Sequence, residues 1–193
     1  MYEVFKNYLD NQITLTAEQH DWIRSTCVLR KLQKKQHLFQ EGETWKYNAF
    51  VTKGLIRTYS VDNNGFEHIV AFAMENWWAG DREAIITGQP SRFNIDAIEE
   101  SELVMIEKLK FDTICKEIPS FNDMVNRIIQ RSFIASQNRI HDTISFSGRE
   151  KYENFVNKNP SLATRVPQNM IASYLGITRE TLSRVRRKAA KKC

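Results

Sequence analysis

Residues 167–188 have the sequence PQNMIASYLGITRETLSRVRRK, with the pattern of two short helices joined by a tight turn. Pro167 is suited to begin the first helix, Gly176 to end it and Thr178 to cap the second. Two helices that cross closely also need a small residue on the first helix, here Ala172, and apolar side chains between them. The apolar positions that meet this need are Ile171, Leu175, Ile177, Leu182 and Val185. The stretch therefore predicts a helix-turn-helix, and an ordinary helical hairpin is the alternative.

The positive charge of the chain is concentrated around this motif. The whole chain has a net charge of +5, but residues 165–193 alone carry +7 and the remaining residues carry −2. Glu180 is the single acid of this segment, and its eight bases are Arg165, Arg179, Arg184, Arg186, Arg187, Lys188, Lys191 and Lys192. A basic segment on a mildly acidic remainder predicts a polyanionic partner for that segment, and a solvated cationic tail is the alternative.

The second helix of the motif carries side chains that can distinguish base edges in a major groove. Arg179 and Arg184 can each donate two hydrogen bonds to guanine, and Glu180 can accept one from a cytosine amino group. Ser183 is short enough to approach a base or a phosphate. Alternatively, Glu180 only favours the positive end of its helix and pairs with Arg184. Phosphate contacts, which position without specifying sequence, are predicted for Thr178, Thr181, Arg186, Arg187 and Lys188, with Lys191 and Lys192 beyond them.

Residues 26–107 predict strands. Short apolar or alternating runs are separated by turn residues, and Asp62-Asn63-Asn64-Gly65 is typical of a hairpin because Asn and Gly accept positive φ angles. Several short strands at regular spacing predict a sandwich, a barrel or a jelly roll. The first 25 residues predict helices, with Thr16 as a cap. Three tryptophans are candidates to line a ligand pocket, although packing is their favoured use: Trp45, Trp77 and Trp78.

A long helix is predicted after Pro119, which is suited to the first turn of a helix. Its small and apolar positions recur at steps of three and four residues, which is typical of a dimer seam, and a stripe that covers the β-rich region of the same chain is the alternative. The positions are Phe121, Val125, Ile128, Ile129, Ser132 and Ala135. Residues 141–164 predict one more helix, ending before the polar stretch Asn157-Lys158-Asn159-Pro160.

Composition and residue spacing disfavour several other classes of protein. No apolar run approaches the roughly 20 residues of a membrane span, and the acids near the N-terminus do not fit a signal peptide. We therefore expect a cytoplasmic protein without a membrane partner. A metal-dependent jelly-roll enzyme, a haem sensor or an iron–sulfur protein needs clustered ligands. The chain has only His37 and His68 in the β-rich region and three dispersed cysteines, so we expect no metal, no cofactor and no catalysis.

The segment TRETLSR, preceded by PQNMIASYLGI, resembles the helix-turn-helix of the Crp/Fnr family of bacterial transcription regulators. FQEGE at 39–43 and FVTKGLIRTY at 50–59 resemble turns of that family's N-terminal domain. The resemblance implies an α+β protein with an N-terminal β jelly roll (a double-stranded β-helix) similar to cyclic-nucleotide-binding domains over 1–110. A long dimerisation helix over 111–140 and a helical helix-turn-helix domain over 141–193 would follow.

The same resemblance implies a homodimer that binds a partly palindromic site in double-stranded DNA, with RNA polymerase as a further expected partner. Arg179, Glu180 and Arg184 match the family's base-reading positions, and Ser183 matches a position used in the Fnr branch. Because the chain ends at Cys193, we expect the motif to lack the full β-hairpin wing of many members.

One segment departs from the family pattern. Where the family has Gly-Glu and then Arg followed by a small residue to hold a cyclic nucleotide, this chain has Gly80-Asp81 and Ser91-Arg92-Phe93. Asp is one methylene shorter than Glu, and Phe93 is bulky where backbone should approach phosphate. Gly80, Asp81, Ser91 and Arg92 are therefore the expected effector pocket, with a ligand other than cyclic AMP or none. The alternative function is a nucleotide-like sensing module whose basic tail binds nucleic acid non-specifically.

Overall fold

The computed structural model describes residues 1–190, and its central feature is a roll of eight strands. The strands are β1 (Cys27–Leu32), β2 (His37–Phe39), β3 (Tyr47–Lys53), β4 (Leu55–Val61), β5 (Glu67–Met74), β6 (Trp78–Ala79), β7 (Asn94–Ala97) and β8 (Ser101–Glu107). They form two antiparallel sheets of four strands in the orders β1-β8-β3-β6 and β2-β7-β4-β5. Two four-stranded sheets that exchange strands in this way are a jelly roll, which confirms the predicted fold.

The interior of the roll is filled by side chains from both sheets. Buried members of this core are Leu32, Phe39, Trp45, Val51, Ile56, Ile95 and Leu103. The predicted hairpin joins β4 to β5. The amides of Asn64 and Phe66 donate to Oδ1 of Asp62 at 2.9 and 3.0 Å, and Gly65 has a φ of +83°, a conformation that favours glycine. Local turn chemistry thus fixes the register of these two strands.

Two N-terminal helices pack on the first sheet. They are α1 (Tyr2–Asp10) and α2 (Ala17–Thr26), and their buried Phe5, Leu9 and Ile23 share a core with Phe50 of β3 and Ile106 of β8. The predicted cap is confirmed, because Oγ1 of Thr16 accepts from the amide of Gln19 at 3.2 Å and the Gln19 side chain accepts from the amide of Thr16 at 2.9 Å. Trp78 packs against Phe50 and Phe111 at the edge of this core, and it also lines a cavity beside the helix that begins at Pro119.

Helices make up most of the rest of the described chain. They are α3 (Arg82–Thr87), α4 (Lys108–Glu117), α5 (Pro119–Ser145), α6 (Gly148–Lys158), α7 (Pro160–Arg165), α8 (Gln168–Leu175) and α9 (Arg179–Ala190). The predicted helix after Pro119 is confirmed and has 27 residues. Within residues 1–190, no helix is both long enough and apolar enough to cross a bilayer.

The single helix predicted for residues 141–164 is wrong. The region contains the end of α5, all of α6 and most of α7. Ser147 starts a new helix, because its hydroxyl accepts from the amide of Glu150 while the Glu150 carboxylate accepts from the amide of Ser147. Pro160 then begins α7, since a proline fits the first helical turn and not a helix interior. Lys191, Lys192, Cys193 and the expectation about a wing lie outside the described residues.

Candidate nucleic-acid interface

Helices α8 and α9 are joined by the tight turn that the sequence predicts. Gly176 adopts a left-handed conformation with a φ of +62°, and the amide of Ile177 donates to the carbonyl oxygen of Ala172 at 3.0 Å. This bond satisfies a carbonyl group at the end of α8 and reverses the chain direction. Thr178 then caps α9, since its hydroxyl oxygen accepts from the amide of Thr181 at 3.2 Å. The predicted turn and cap are both confirmed.

The apolar positions of the motif face each other as its spacing requires. Four side chains of the pair are buried in one core, namely Ile171, Ala172, Leu175 and Leu182. Helix α6 supports α9 from the side, because a Cβ atom added to Gly148 would lie 2.9 Å from Cγ2 of Thr181. Contact this close leaves no space for a side chain at the start of α6. Two helices therefore hold α9 in place and leave its opposite face open.

The open face of α9 carries the side chains expected to contact DNA. Glu180, Ser183, Arg184 and Arg187 occupy positions i, i+3, i+4 and i+7, so they share one side of the helix, and all four are exposed. Arg179, Arg186 and Lys188 are exposed as well. Thr181 is half-buried at the edge of this face, where its hydroxyl oxygen accepts from the Arg184 guanidinium at 3.3 Å. The described bases of α9 are therefore all exposed.

Glu180 remains a charged acid on this basic surface. The backbone amide of Glu180 and then the nearby Thr178 hydroxyl favour the charged carboxylate, and they hold the pKa of Glu180 below its ordinary value. This position at the start of α9 suits a negative charge. In the described residues no ion pair within 4.0 Å joins Glu180 to Arg184, so the pairing considered as an alternative is not formed. The carboxylate is ionised and open to solvent.

Among the described bases of residues 165–190, Arg165 alone lies outside α9 and is paired with acids of the roll. It ends α7, and its guanidinium donates to the carboxylates of Glu75 and Glu99, both in turns of the roll. Its charge is therefore neutralised within the protein and does not add to the open face of α9.

Helix α5 packs its apolar side chains on the roll through its first turns, and further along Arg139 donates to the carbonyl oxygen of Val70 in β5. Phe121 is fully buried, Val125, Ile128 and Ile129 are half-buried, and Ser132 and Ala135 are exposed. Beyond Ile129, large exposed apolar side chains follow a stripe one residue further along the helix than the predicted one. They are Phe133, Ile140 and Ile144, which are 61%, 59% and 79% exposed, and Ile134, which is 55% exposed, lies beside this stripe. Sequence reasoning missed Phe133, although its spacing of four residues from Ile129 was a signal.

A cavity of about 440 Å³ lies between the roll and this part of α5. Its apolar lining includes Trp78, Ile85, Phe111, Val125, Ile129 and Phe133. Four polar or charged side chains, those of Asn48, Arg82, Ser132 and Ser136, also reach it. The cavity therefore opens on the same face of α5 as the exposed apolar stripe.

The four residues of the expected effector pocket have divergent environments. Asp81 is buried, where Oδ1 accepts from the amides of Glu83 and Ala84 at 2.9 and 3.2 Å and caps α3. Arg92 points to solvent, with its side chain 71% exposed and an ion pair to Glu83 at 2.9 Å. Gly80 has a φ of +134°, and a Cβ there would lie 2.9 Å from Nε1 of Trp45.

Ser91, the fourth of these residues, ties the segment to the start of the roll. Its carbonyl oxygen accepts from the amide of Gly42 at 2.7 Å, and its amide donates to the carbonyl oxygen of Glu43 at 2.9 Å.

Among residues 1–190 there is no group of three or more His, Cys, Asp or Glu side chains that could hold a metal ion.

Comparison with known proteins agrees with this architecture. The family described as the cyclic nucleotide-binding domain matches residues 29–118. Regulatory protein HlyX of Actinobacillus pleuropneumoniae is 24% identical over 187 residues, which cover 90% of this chain and 77% of HlyX. The fumarate and nitrate reduction regulatory protein of Escherichia coli (strain K12) is 25% identical over 190 residues, which cover 90% of this chain and 74% of that protein.

Solved structures share the fold. FixK2 from Bradyrhizobium japonicum superposes with a TM-score of 0.76 at 17% identity, over 86% of this chain and 85% of FixK2. A putative transcriptional regulator of the Crp/Fnr family from Eubacterium rectale superposes with a TM-score of 0.71 at 16% identity, over 96% of this chain and 88% of that one. The protein has a roll of the cyclic nucleotide-binding type followed by a long helix and a helix-turn-helix. Over about nine-tenths of its length it is similar to transcription regulators of the Crp/Fnr family.

Proposed function

We propose that this protein is a homodimer that binds a partly palindromic DNA sequence through α9 and is not controlled by cyclic AMP. The observation that carries the proposal is the open face of α9, where the ionised Glu180 stands among exposed arginines. An acid there opposes attraction to phosphate, so its presence is explained by a contact to a base, as a carboxylate accepts from the amino group of cytosine. Arg179 and Arg184 lie near it on the helix, and each can donate two hydrogen bonds to a guanine.

The surrounding bases supply affinity without sequence preference. Arg186, Arg187 and Lys188 lie further along α9 and are exposed, as phosphate contacts require. The hydroxyls of Thr178 and Thr181 stand at the start of the helix, where backbone amides also favour an anion. Binding should therefore weaken steeply with salt, because each neutralised phosphate releases counterions.

The exposed stripe of α5 supports the proposal of a dimer. Ile129, Phe133, Ser136, Ile140 and Ile144 follow steps of three and four residues, the spacing of a helix seam. Large apolar side chains left open to water along one helix mark an interaction surface. A second copy of the chain, with its own α5 on this stripe, would also cover the cavity beside Phe133. Two copies of α9 would then lie about 34 Å apart on one face of a duplex.

Selection from a library of random duplexes tests the proposal with the full chain. We expect enrichment of a sequence with two related half-sites in inverted orientation, one helical turn or a multiple apart. Enrichment of a single unrepeated half-site would contradict the dimer. Equal retention of all duplexes would favour the alternative, a sensing module whose basic tail binds nucleic acid non-specifically.

A further inference from the structure

The orientation of the C-terminal helical unit (α6 to α9, residues 148–190) is not set by a continuous helix. Only Phe146 and Ser147 connect α5 to α6, and both have extended backbone conformations. A crevice of about 300 Å³ also separates part of α5 from this unit. Asp142 of α5 contacts Asn154 and Lys158 of α6, and the Arg139 guanidinium lies 5.1 Å from the centre of the Tyr174 ring. Because these few polar contacts flank the crevice, the presentation of α9 relative to α5 also depends on contacts between the unit and the roll.

The first such contact is the guanidinium of Arg165, which is bound by two turns of the roll. It donates to the Glu75 carboxylate at 2.7 and 3.0 Å and to the Glu99 carboxylate at 2.7 and 3.1 Å. Glu75 is itself held in place, since Oε1 accepts from the amide of Gly54 at 2.8 Å. Paired bonds between a guanidinium and a carboxylate fix direction as well as distance, and here two pairs act on one side chain.

The second contact is made by Ser173 of α8 at the edge of a sheet. β5 ends the order β2-β7-β4-β5, so part of its backbone has no partner strand. The amide of Ile69 donates to Oγ of Ser173 at 3.0 Å, and the Ser173 hydroxyl donates to the carbonyl oxygen of Glu67 at 3.0 Å. One serine thus satisfies a donor and an acceptor of the edge strand.

An apolar core extends across the same boundary. Leu55, Phe72 and Ile98 of the roll share one buried cluster with Leu162, Val166 and Ile171 of the helices. The ring of Tyr174 lies 5.1 Å from that of Phe72, centre to centre. The helical unit is therefore seated on the roll through α7 and α8. Its open face on α9 is left free by this arrangement.

We propose that Arg165 and Ser173 are positioning residues for DNA binding. They hold the helical unit on the roll, so that the two copies of α9 in a dimer keep one fixed separation. Arg165 serves this role through Glu75 and Glu99 and makes no contact with phosphate, although it belongs to the basic segment. This inference rests on the proposed function. It adds that the contacts of Arg165 and Ser173 with the roll determine which spacing between half-sites is bound.

The test uses full-length protein and duplexes that carry the selected half-sites at the selected spacing and at one and two base pairs more or less. For the wild type we expect binding about tenfold weaker or worse at the altered spacings, since half-site separation must match the protein. Arg165→Gln, Ser173→Ala and the double variant Glu75→Gln/Glu99→Gln should each reduce this discrimination to about threefold or less. Arg149→Gln is the matched control, because Arg149 pairs with Glu153 inside α6, and its spacing profile should equal that of the wild type.

Three further readouts make the outcome decisive. The salt dependence at the selected spacing should be unchanged by Arg165→Gln, whereas loss of a phosphate contact would lower the slope by about one. Hydrogen exchange of the Ile69 amide without DNA should be slow in the wild type and faster in Ser173→Ala. Thermal unfolding shows whether a variant is only less stable overall.

Several results would overturn the inference. A spacing profile that is the same in wild type and variants would overturn it and leave the proposed function intact, and so would tighter binding of the variants at every spacing. If the wild type prefers no sequence, the proposed function fails as well.

Discussion

The Ser91 hydroxyl donates a hydrogen bond to Oδ2 of Asp81 at 2.8 Å, and both side chains are buried. The other carboxylate oxygen of Asp81 caps α3. Both oxygens of this acid are therefore used within the protein, at the place where the family resemblance implies a contact to ligand. Arg92, which the resemblance assigns to phosphate, lies on the surface beside Glu83.

These contacts predict that cyclic AMP does not stabilise the protein. A ligand present at 100 times its dissociation constant would raise the free energy of unfolding by about 2.7 kcal/mol. We expect no measurable change in the thermal midpoint with cyclic AMP at submillimolar concentration, because binding would first have to break the Asp81–Ser91 contact. A clear upward shift would contradict the prediction, and Asp81→Ala would then show whether this carboxylate is involved.

Substitutions on α9 should separate base reading from phosphate contact. Arg184→Ala or Glu180→Gln should each cost about 1–3 kcal/mol at the selected duplex and relax the preference at one base position. Lys188→Gln should weaken binding to all sequences alike and lower the salt slope by about one. Competition titrations with single-base variants of the duplex measure both effects. If Glu180→Gln binds every duplex more tightly without losing preference, the acid does not read a base.

Much of this interface could be predicted because its determinants are local. Gly176 and Thr178 specify a turn and a cap within a few residues of chain, and the apolar spacing around them follows helix geometry. The Ser147–Glu150 capping box was an equally local signal, and it marks the break between α5 and α6 that the sequence analysis missed.

Distant contacts were not predictable in the same way. Arg165 is 90 residues from Glu75 and 66 from Glu99 along the chain, and Ser173 is 104 residues from Ile69. Charge counting placed Arg165 with the bases that face a polyanion, because its acidic partners belong to turns of the roll. The exposed stripe of α5 differs from the predicted seam for a similar reason. The roll already covers Phe121 and part of the next turn, so these positions are not available to a second copy.

Gly148 provides a test of the support that α6 gives to α9. Gly148→Ala should destabilise the protein by about 1 kcal/mol, because the added Cβ would overlap Cγ2 of Thr181. Thr181→Ser removes that methyl group and keeps the hydroxyl. In the Thr181→Ser background, Gly148→Ala should therefore be neutral or stabilising, as alanine is the better helix former. Urea unfolding of the four proteins gives the coupling, and additive effects would show that the two residues do not interact.

Phe133 tests the dimer seam of α5. Phe133→Glu would place a charge on the exposed apolar stripe, and we expect a dimer at least about tenfold weaker, since each copy loses an apolar side chain from the interface. Leu109→Glu is the matched control, because Leu109 is 71% exposed on α4 and outside the stripe. Sedimentation of both variants measures the change. A Phe133→Glu protein that stays as dimeric as the control would place the interface elsewhere.

Acid should weaken the seating of the helical unit on the roll through Glu75. Burial disfavours the charged form of this carboxyl, but the Arg165 guanidinium and backbone amides outweigh that effect, and the pKa of Glu75 lies below its ordinary value of 4.5. A carboxyl whose pKa is lowered by folding contributes stability above its unfolded pKa and loses it as the pH falls through the folded pKa. Hydrogen-exchange protection of the Ile69 amide, corrected for intrinsic exchange, should therefore be constant above about pH 5 and decrease below pH 4.5.

The Glu75→Gln variant should show weaker protection of this amide near neutral pH and a smaller decrease in acid, because the variant has no proton to take up at this position. Equal decreases in wild type and variant would assign the acid sensitivity to another group.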